Sequence, residues 1–143
     1  TFSNSPNEFT REGASVGFTN YLDFGNGSVF SNDLSVQLTN SIVWGREDEE
    51  LVVDISTNAI ANVQIENNIL RSEQESWVDL GNLISQDENY PGFYSPNFFN
   101  YQIDSLSNAR DKASTSSVTH DLLGTLRDAM PDLGAYERKD SIP

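Results

Sequence analysis

The sequence predicts an all-β chain built as a stack of short parallel strands, and three observations predict it. A strand-length phrase recurs at a spacing suited to stacked repeats. Turn formers, above all Asn and Ser, are abundant, whereas Ala and Lys are scarce. The longest apolar runs, such as Leu51-Val52-Val53, are strand-sized.

The phrase is Val-x-apolar-x-Asn. It reads Val16-Gly17-Phe18-Thr19-Asn20, then Val36-Gln37-Leu38-Thr39-Asn40, then Val63-Gln64-Ile65-Glu66-Asn67, at offsets of 20 and 27 residues. Apolar residues two apart with polar ones between give a strand with one buried face. A second short apolar strand follows the last two copies, Ile42-Val43-Trp44 and Ile69-Leu70. One rung of such strands cannot bury its apolar face alone, so stacking is expected to place Val16, Val36 and Val63 over one another, and Phe18, Leu38 and Ile65 likewise. The recurring Asn suits a sharp turn because it tolerates the left-handed backbone region. Its amide can both donate and accept, so Asn20, Asn40 and Asn67 are candidates for a ladder of stacked amides.

The segments between copies follow from composition. Asp23-Phe24-Gly25-Asn26-Gly27 reads as a turn. Arg46-Glu47-Asp48-Glu49-Glu50 reads as a solvent-facing acidic loop that absorbs the longer second offset, with Leu51-Val52-Val53-Asp54-Ile55 as the next strand. Beyond Ser72 the repeat decays into weak apolar pairs, Trp77 to Leu80 and Leu83-Ile84. Residues 86–97 read as loop, Phe99 to Asp104 alternates as a last strand, and residues 105–117 are polar and irregular, with room for one helical turn. The division expected is rungs with variable loops over 1–105 and a capping segment over 106–143, forming one structural domain.

The last third carries a resemblance. Residues 100–109, Asn-Tyr-Gln-Ile-Asp-Ser-Leu-Ser-Asn-Ala, are similar to a D-[FY]-x-L-x-x-x-S-P-A segment. Residues 121–137 resemble D-x-x-G-x-x-R-x-x-x-P-D-x-G-A-Y-E, matched at Asp121, Gly124, Arg127, Pro131, Asp132, Gly134, Ala135, Tyr136 and Glu137. Both resemble the ends of pectate-lyase-like parallel β-helix repeat proteins of bacterial surfaces. The resemblance implies a right-handed single-stranded parallel β-helix, a few rungs plus a C-terminal cap, from a secreted or outer-membrane surface protein. The sequence departs from the pattern at Asn108, where the family has Pro, and at Ala109-Arg110-Asp111-Lys112. The closing residues also have a reading of their own. A stack must end, and its last rung exposes apolar surface and strand edges that would template aggregation. Gly124 and Gly134 permit positive φ, Pro131 fixes a turn, and Arg127 can fork onto Asp132, Asp121 or Glu137. Tyr136 can cover the last rung.

Charge narrows the partners. Eight Lys and Arg against 22 Asp and Glu give a net charge of −14, which repels nucleic acid and anionic membrane surfaces. No apolar run reaches membrane-spanning length. The absence of Cys excludes disulfides and thiolate metal sites. The chain opens on Thr1 rather than Met and contains no signal peptide pattern, so it is expected to be a piece of something longer, with any export signal upstream.

Catalytic constellations are sparse. His120 stands beside Asp121 and near Ser116 and Ser117, but without the strand–turn–helix elbow of a nucleophile it reads as a turn residue. Calcium, which lyases of this fold use, would need converging carboxylates; Glu47 to Glu50 diverge, and Asp87-Glu88 near Asn89 is short of ligands. Trp44, Trp77, Tyr90, Phe93 and Tyr94 could stack on sugar faces, and equally could cover the core.

The function expected is structural: the end of a surface β-helix, displaying loops for glycan or protein contact, partnered by the remaining rungs of its parent or by another surface protein, with no cofactor of its own. The alternative is part of a polysaccharide lyase or glycoside hydrolase whose active site lies mostly upstream. If the Asn phrase forms a ladder, Asn40→Ala lowers the midpoint of urea unfolding; an unchanged midpoint removes the ladder.

Overall fold

The computed structural model describes residues 1–3, 12–84 and 90–139. Asp87, Glu88 and Asn89, considered above for calcium, lie outside the described residues. The described chain is all-β, with strands β1 (Phe2–Ser3), β2 (Val16–Thr19), β3 (Tyr21–Asp23), β4 (Val29–Ser31), β5 (Leu34–Thr39), β6 (Ile42–Trp44), β7 (Leu51–Asp54), β8 (Ala61–Glu66), β9 (Ile69–Leu70), β10 (Leu83–Ile84), β11 (Phe93–Ser95) and β12 (Asn100–Ile103). Two short 3₁₀ helices, Glu75–Leu80 and Pro96–Phe98, complete it.

Two successive triplets of strands pair member by member. β2 runs parallel to β7, β5 to β8, and β6 to β9. β1 and β10 extend the third pair into a four-stranded parallel sheet of order β1-β6-β9-β10. The antiparallel pairs are β3 with β4, a hairpin inserted between β2 and β5, and β11 with β12.

The four-stranded sheet is buried on both faces. Ile42, Ile69 and Leu83 stand in register and pack outward against Trp44, Phe93, Ile103, Ala109 and Leu133. Val43, Leu70 and Ile84, one residue further along, pack inward with Val16, Leu38, Leu51 and Ile65. One sheet therefore separates two cores, and the continuous apolar runs of 42–44 and 69–70 are the sequence mark of a parallel sheet covered on both sides. Each such side chain contributes roughly 1.5–3 kcal/mol by leaving water.

A polar corner precedes this sheet. Asn40 and Asn67 adopt left-handed φ of 51° and 55°, and Gly81 ends the first 3₁₀ helix at φ 74°. The next residue in each case is Ser41, Asn68 or Asn82. Asn68 is wholly buried; its Oδ1 accepts the Ser41 N–H at 2.8 Å, and its Nδ2 donates to the carbonyls of Leu38 and Glu66 at 3.0 Å. The Asn82 Oδ1 accepts from the Asn68 N–H and Nδ2, both at 2.9 Å, while its Nδ2 donates to the Ile65 carbonyl at 2.7 Å. The buried ladder is thus Ser41–Asn68–Asn82, one position after the Asn residues that the repeat singles out.

Several expectations are corrected by the strand register. Val36 pairs with Val63 and Leu38 with Ile65, but Val16 pairs with Leu51 and Phe18 with Val53. The first copy of the phrase therefore belongs to a different ladder: the hairpin β3–β4 lies between β2 and β5, β2 pairs with β7, and β5 pairs with β8. Trp77 to Leu80 is helical rather than strand-like, and Phe93–Ser95, within the expected loop, is a strand paired with β12. Residues 105–117 form turns, among them an Arg110 N–H to Ser107 carbonyl bond of 3.2 Å, without a regular helix.

Asn68→Ala removes the partner of the Ser41 N–H and the side-chain bonds to the Leu38 and Glu66 carbonyls, while Asn82 Oδ1 keeps the Asn68 N–H. Its cost is expected to be about 2–4 kcal/mol, larger than that of Asn40→Ala. Paired urea titrations check the order of the two variants.

Candidate functional site

The residues that the repeat and the closing motif single out converge on one face. Asn67 Nδ2 donates to Asn40 Oδ1 at 2.6 Å, and the pair lies at the edge of the stack rather than inside it. Here it receives the closing segment. Asn40 Nδ2 donates to the Ser114 carbonyl at 2.8 Å, and Asn40 Oδ1 accepts from the Ser114 N–H at 2.9 Å. Asn67 Nδ2 also reaches the Lys112 carbonyl at 3.1 Å. Asn20 does not join them: its amide brackets Ser56, donating to the carbonyl at 3.1 Å and accepting the N–H at 2.7 Å. Asn20 lies at the corner after β2, where the neighbouring strand is β7, so its partner is the turn that follows β7.

The closing segment runs across the flank of the four-stranded sheet. The Gly134 N–H donates to the Asn40 carbonyl at 2.9 Å, and the Ala135 N–H to Thr1 Oγ1 at 3.0 Å. Gly134 has φ 94°, and a Cβ there would lie 2.7 Å from Thr1 Oγ1 and 2.9 Å from Ile42 Cδ1, so only glycine allows this approach. Leu133 enters the outer core, and the Pro131 carbonyl accepts the Ala113 N–H at 2.8 Å. Tyr136 lines a surface pocket with Leu123, Arg138 and Ile103 of β12.

Three buried carboxylates organise this segment. Asp121 Oδ1 accepts the N–H groups of Leu123 and Thr125 at 2.8 and 2.7 Å, and Oδ2 accepts that of Glu137 at 2.9 Å. Glu137 accepts the N–H of Asp128 at 3.2 Å and of Asp132 at 3.0 Å. Asp132 accepts those of Asp111 at 2.8 Å and Arg138 at 2.6 Å. Arg127 pairs with Glu137 at 3.2 Å and donates to the carbonyls of Asp132 and Gly134 at 2.9 and 2.7 Å; it forms no bond to the side chain of Asp121 or Asp132 among the described residues. Gly124, at φ 78°, closes the Asp121 turn through its N–H. Every carboxylate oxygen of the trio accepts a hydrogen bond, so the cluster serves as a set of backbone acceptors.

Asp121 and Asp132 are shifted in opposite directions, for physical reasons. Burial pushes the Asp121 carboxyl up, but the N–H groups of Glu137, Thr125 and Leu123 outweigh it and hold the group below its ordinary 3.8. For Asp132 burial prevails, with help from the neighbouring Glu137 and Asp111 charges, over the N–H groups of Arg138 and Asp111; its carboxyl lies above the ordinary value.

The aromatic candidates separate. Trp44 and Phe93 are 5% and 6% exposed and belong to the outer core, so neither presents a face to a sugar. Tyr90 packs edge-on to both, at 5.9 and 6.3 Å, and is partly open, while Tyr94 is 72% exposed. Trp77 is half-buried against the inner core.

The acidic loop holds the residue that composition does not reveal. Glu50 is wholly buried rather than solvent-facing. Its carboxylate accepts from the Ser15 N–H at 2.9 Å, from the Ser15 hydroxyl, and from the Glu47 N–H at 2.9 Å. A Cβ at Gly45 would overlap it, a contact that no pattern in the sequence announces. Glu49 accepts from Ser72 and Glu73, and Asp48 pairs with Arg71 at 3.3 Å. His120 is exposed, with Nδ1 2.9 Å from Thr119 Oγ1, and among the described residues makes no bond to Asp121 or to a serine. No group of three His, Asp or Glu residues able to hold a metal ion occurs among the described residues, and no described helix is long and apolar enough to cross a membrane. No family model, curated protein or solved structure matches the chain.

The two shifted carboxyls give opposite pH slopes. The contribution of Asp121 is present above its unfolded value near 3.8 and is lost as pH falls through its lower folded value. That of Asp132 is present at low pH and is lost as pH rises through its raised folded value. Asp121→Asn is expected to be less stable at neutral pH and to lose less on acidification than the parent. Urea midpoints measured across the acid range check both.

Proposed function

We propose that this chain is the C-terminal portion of a right-handed single-stranded parallel β-helix from a secreted or cell-surface protein, with a structural and display role and no catalytic activity of its own. The observation that carries the reading is the strand-for-strand parallel pairing of two consecutive triplets, β2-β5-β6 with β7-β8-β9. A chain that coils through three short strands per turn produces this pattern, and it brings like residues into vertical files. The closing segment supports the terminal assignment: it has no ladder of its own and spends its buried carboxylates and Arg127 on ordering its own backbone.

The display role draws on different features. Among the described residues, β2 and β5 are hydrogen-bonded to a strand on one side only. That leaves edges on which further rungs of the parent, or of another surface protein, would add. Tyr94 and the partly open Tyr90 are the rings left for glycan contact once Trp44 and Phe93 are assigned to the core.

The test is direct. The chain is incubated with acidic and neutral polysaccharides, and reducing ends and unsaturated uronide absorbance are followed. No release is expected, whereas Tyr94→Ala weakens retention in polysaccharide affinity gels. Cleavage by this chain alone would falsify the structural reading and favour a lyase or glycosidase.

A further inference from the structure

The hairpin β3–β4 carries a chemistry that the stack does not use. Its loop is closed by the Phe24 N–H donating to the Ser28 carbonyl at 3.1 Å. Two side-chain turns lie within it: Asp23 Oδ1 accepts the Gly25 N–H at 2.8 Å, and Asn26 Oδ1 accepts the Ser28 N–H at 3.0 Å. Asn26-Gly27 is the sole Asn-Gly pair in the sequence, and both residues are exposed. Gly27 has φ 86°, nothing lies within 4 Å of the place a Cβ would occupy, and its N–H has no acceptor among the described residues.

We propose that Asn26 is a self-modification site, at which the backbone converts the side-chain amide to an acid through a cyclic imide. The Gly27 nitrogen, its proton taken by hydroxide or water, attacks Asn26 Cγ. The new N–Cγ bond forms, the Cγ–Nδ2 bond breaks, and the departing nitrogen picks up a proton to leave as ammonia. One water molecule then opens the imide at either carbonyl, giving aspartate or isoaspartate. No electrons are exchanged, and the only co-reactant is water.

Three features of the loop favour the step. Negative charge develops on Oδ1 during attack, and Oδ1 already faces the Ser28 N–H, which stabilises it as an oxyanion donor does. The same hydrogen bond fixes the side chain beside its own following peptide, so less orientation entropy remains to be lost. Gly27 presents no side chain over its nitrogen, and the loop stands open to water and hydroxide. The product adds one negative charge to a chain already at −14. It does so between exposed Leu22 and Phe24 on one arm and Val29 and Phe30 on the other, so an apolar rim acquires a carboxylate. The isoaspartyl form also inserts a methylene into the backbone beside the Asp23–Val29 pair of the hairpin.

The experiment is a time course of the intact protein at mildly alkaline pH, followed by peptide mapping with mass spectrometry that resolves aspartyl from isoaspartyl peptides. Conversion at Asn26 is expected to run on the order of tenfold faster than at Asn58, an exposed Asn followed by Ala59, the gain being below that of a buried oxyanion donor. The native rate is expected to equal or exceed the rate in urea, and Asn26→Gln is expected to abolish the signal in that peptide. Equal rates at Asn26 and Asn58, or a native rate below the urea rate, overturns the assignment.

Discussion

The register of the β6–β9–β10 ladder is the constraint on which the molecule depends. In a sheet with one wet face, hydrophobic alternation fixes register, because a slip of one residue turns the apolar set toward water. Here both faces are dry, and a slip that exchanged Ile69 for Leu70 would put an apolar residue on either side as before. Alternation therefore carries little register information in this sheet. The buried corner supplies it. Asn68 bonds to Ser41, Leu38, Glu66 and Asn82, and a slip of the strand would break the side-chain bonds to Ser41, Leu38 and Asn82 at once. The left-handed residue before it, Asn40, Asn67 or Gly81, sets where the corner falls.

The acidic composition acquires a second meaning in the same light. A net charge of −14 suggests a solvated surface, yet Glu50, Asp121, Asp132 and Glu137 are buried. Residues 105–139 have turns, bends and one isolated bridge between His120 and Leu126, so many of their backbone N–H groups need acceptors beyond a strand ladder. A carboxylate offers two oxygens able to accept several donors at once, and charge-assisted bonds are stronger than neutral ones. In this segment carboxylates take the place that carbonyls of a neighbouring strand hold in the stack.

Sequence reasoning reached some of this and missed the rest for identifiable reasons. The paired phrases at 36–40 and 63–67 are legible because their strands, β5 and β8, pair parallel and in register, and the same offset separates β6 from β9. The phrase at 16–20 has the right pattern in a different ladder, since periodicity does not say which strands pair. The third member of the corner, Gly81-Asn82-Leu83-Ile84, stands in the sequence as plainly as Asn67-Asn68-Ile69-Leu70. It is hidden because it follows at an offset of 14 residues, across a 3₁₀ helix, and so breaks the spacing of the earlier copies. The closing motif is legible as a unit and as an Arg–carboxylate cluster, but its place on the flank is not. That place depends on the missing Cβ of Gly134 against Ile42, a contact between residues 92 positions apart. Glu50 is invisible for a like reason: four acids in a row look solvated until Gly45 is seen to leave room for one of them.

The lateral course of the closing segment bears on how the chain is made. Ile42, Ile69 and Leu83 are synthesised well before Leu133, which helps to cover them. The inner core can consolidate while the chain is still growing, but the outer face of the same sheet is fully covered only once Leu133 joins Phe93, Ile103 and Ala109. Contacts of such long sequence separation form slowly, and exposed apolar sheet invites association in the interval. A ribosome stalled before residue 133, or a protease that clips the tail, would leave a particle with one finished core and one sticky wall. Emergence of the segment that carries Leu133 is thus the event that renders the outer wall inert.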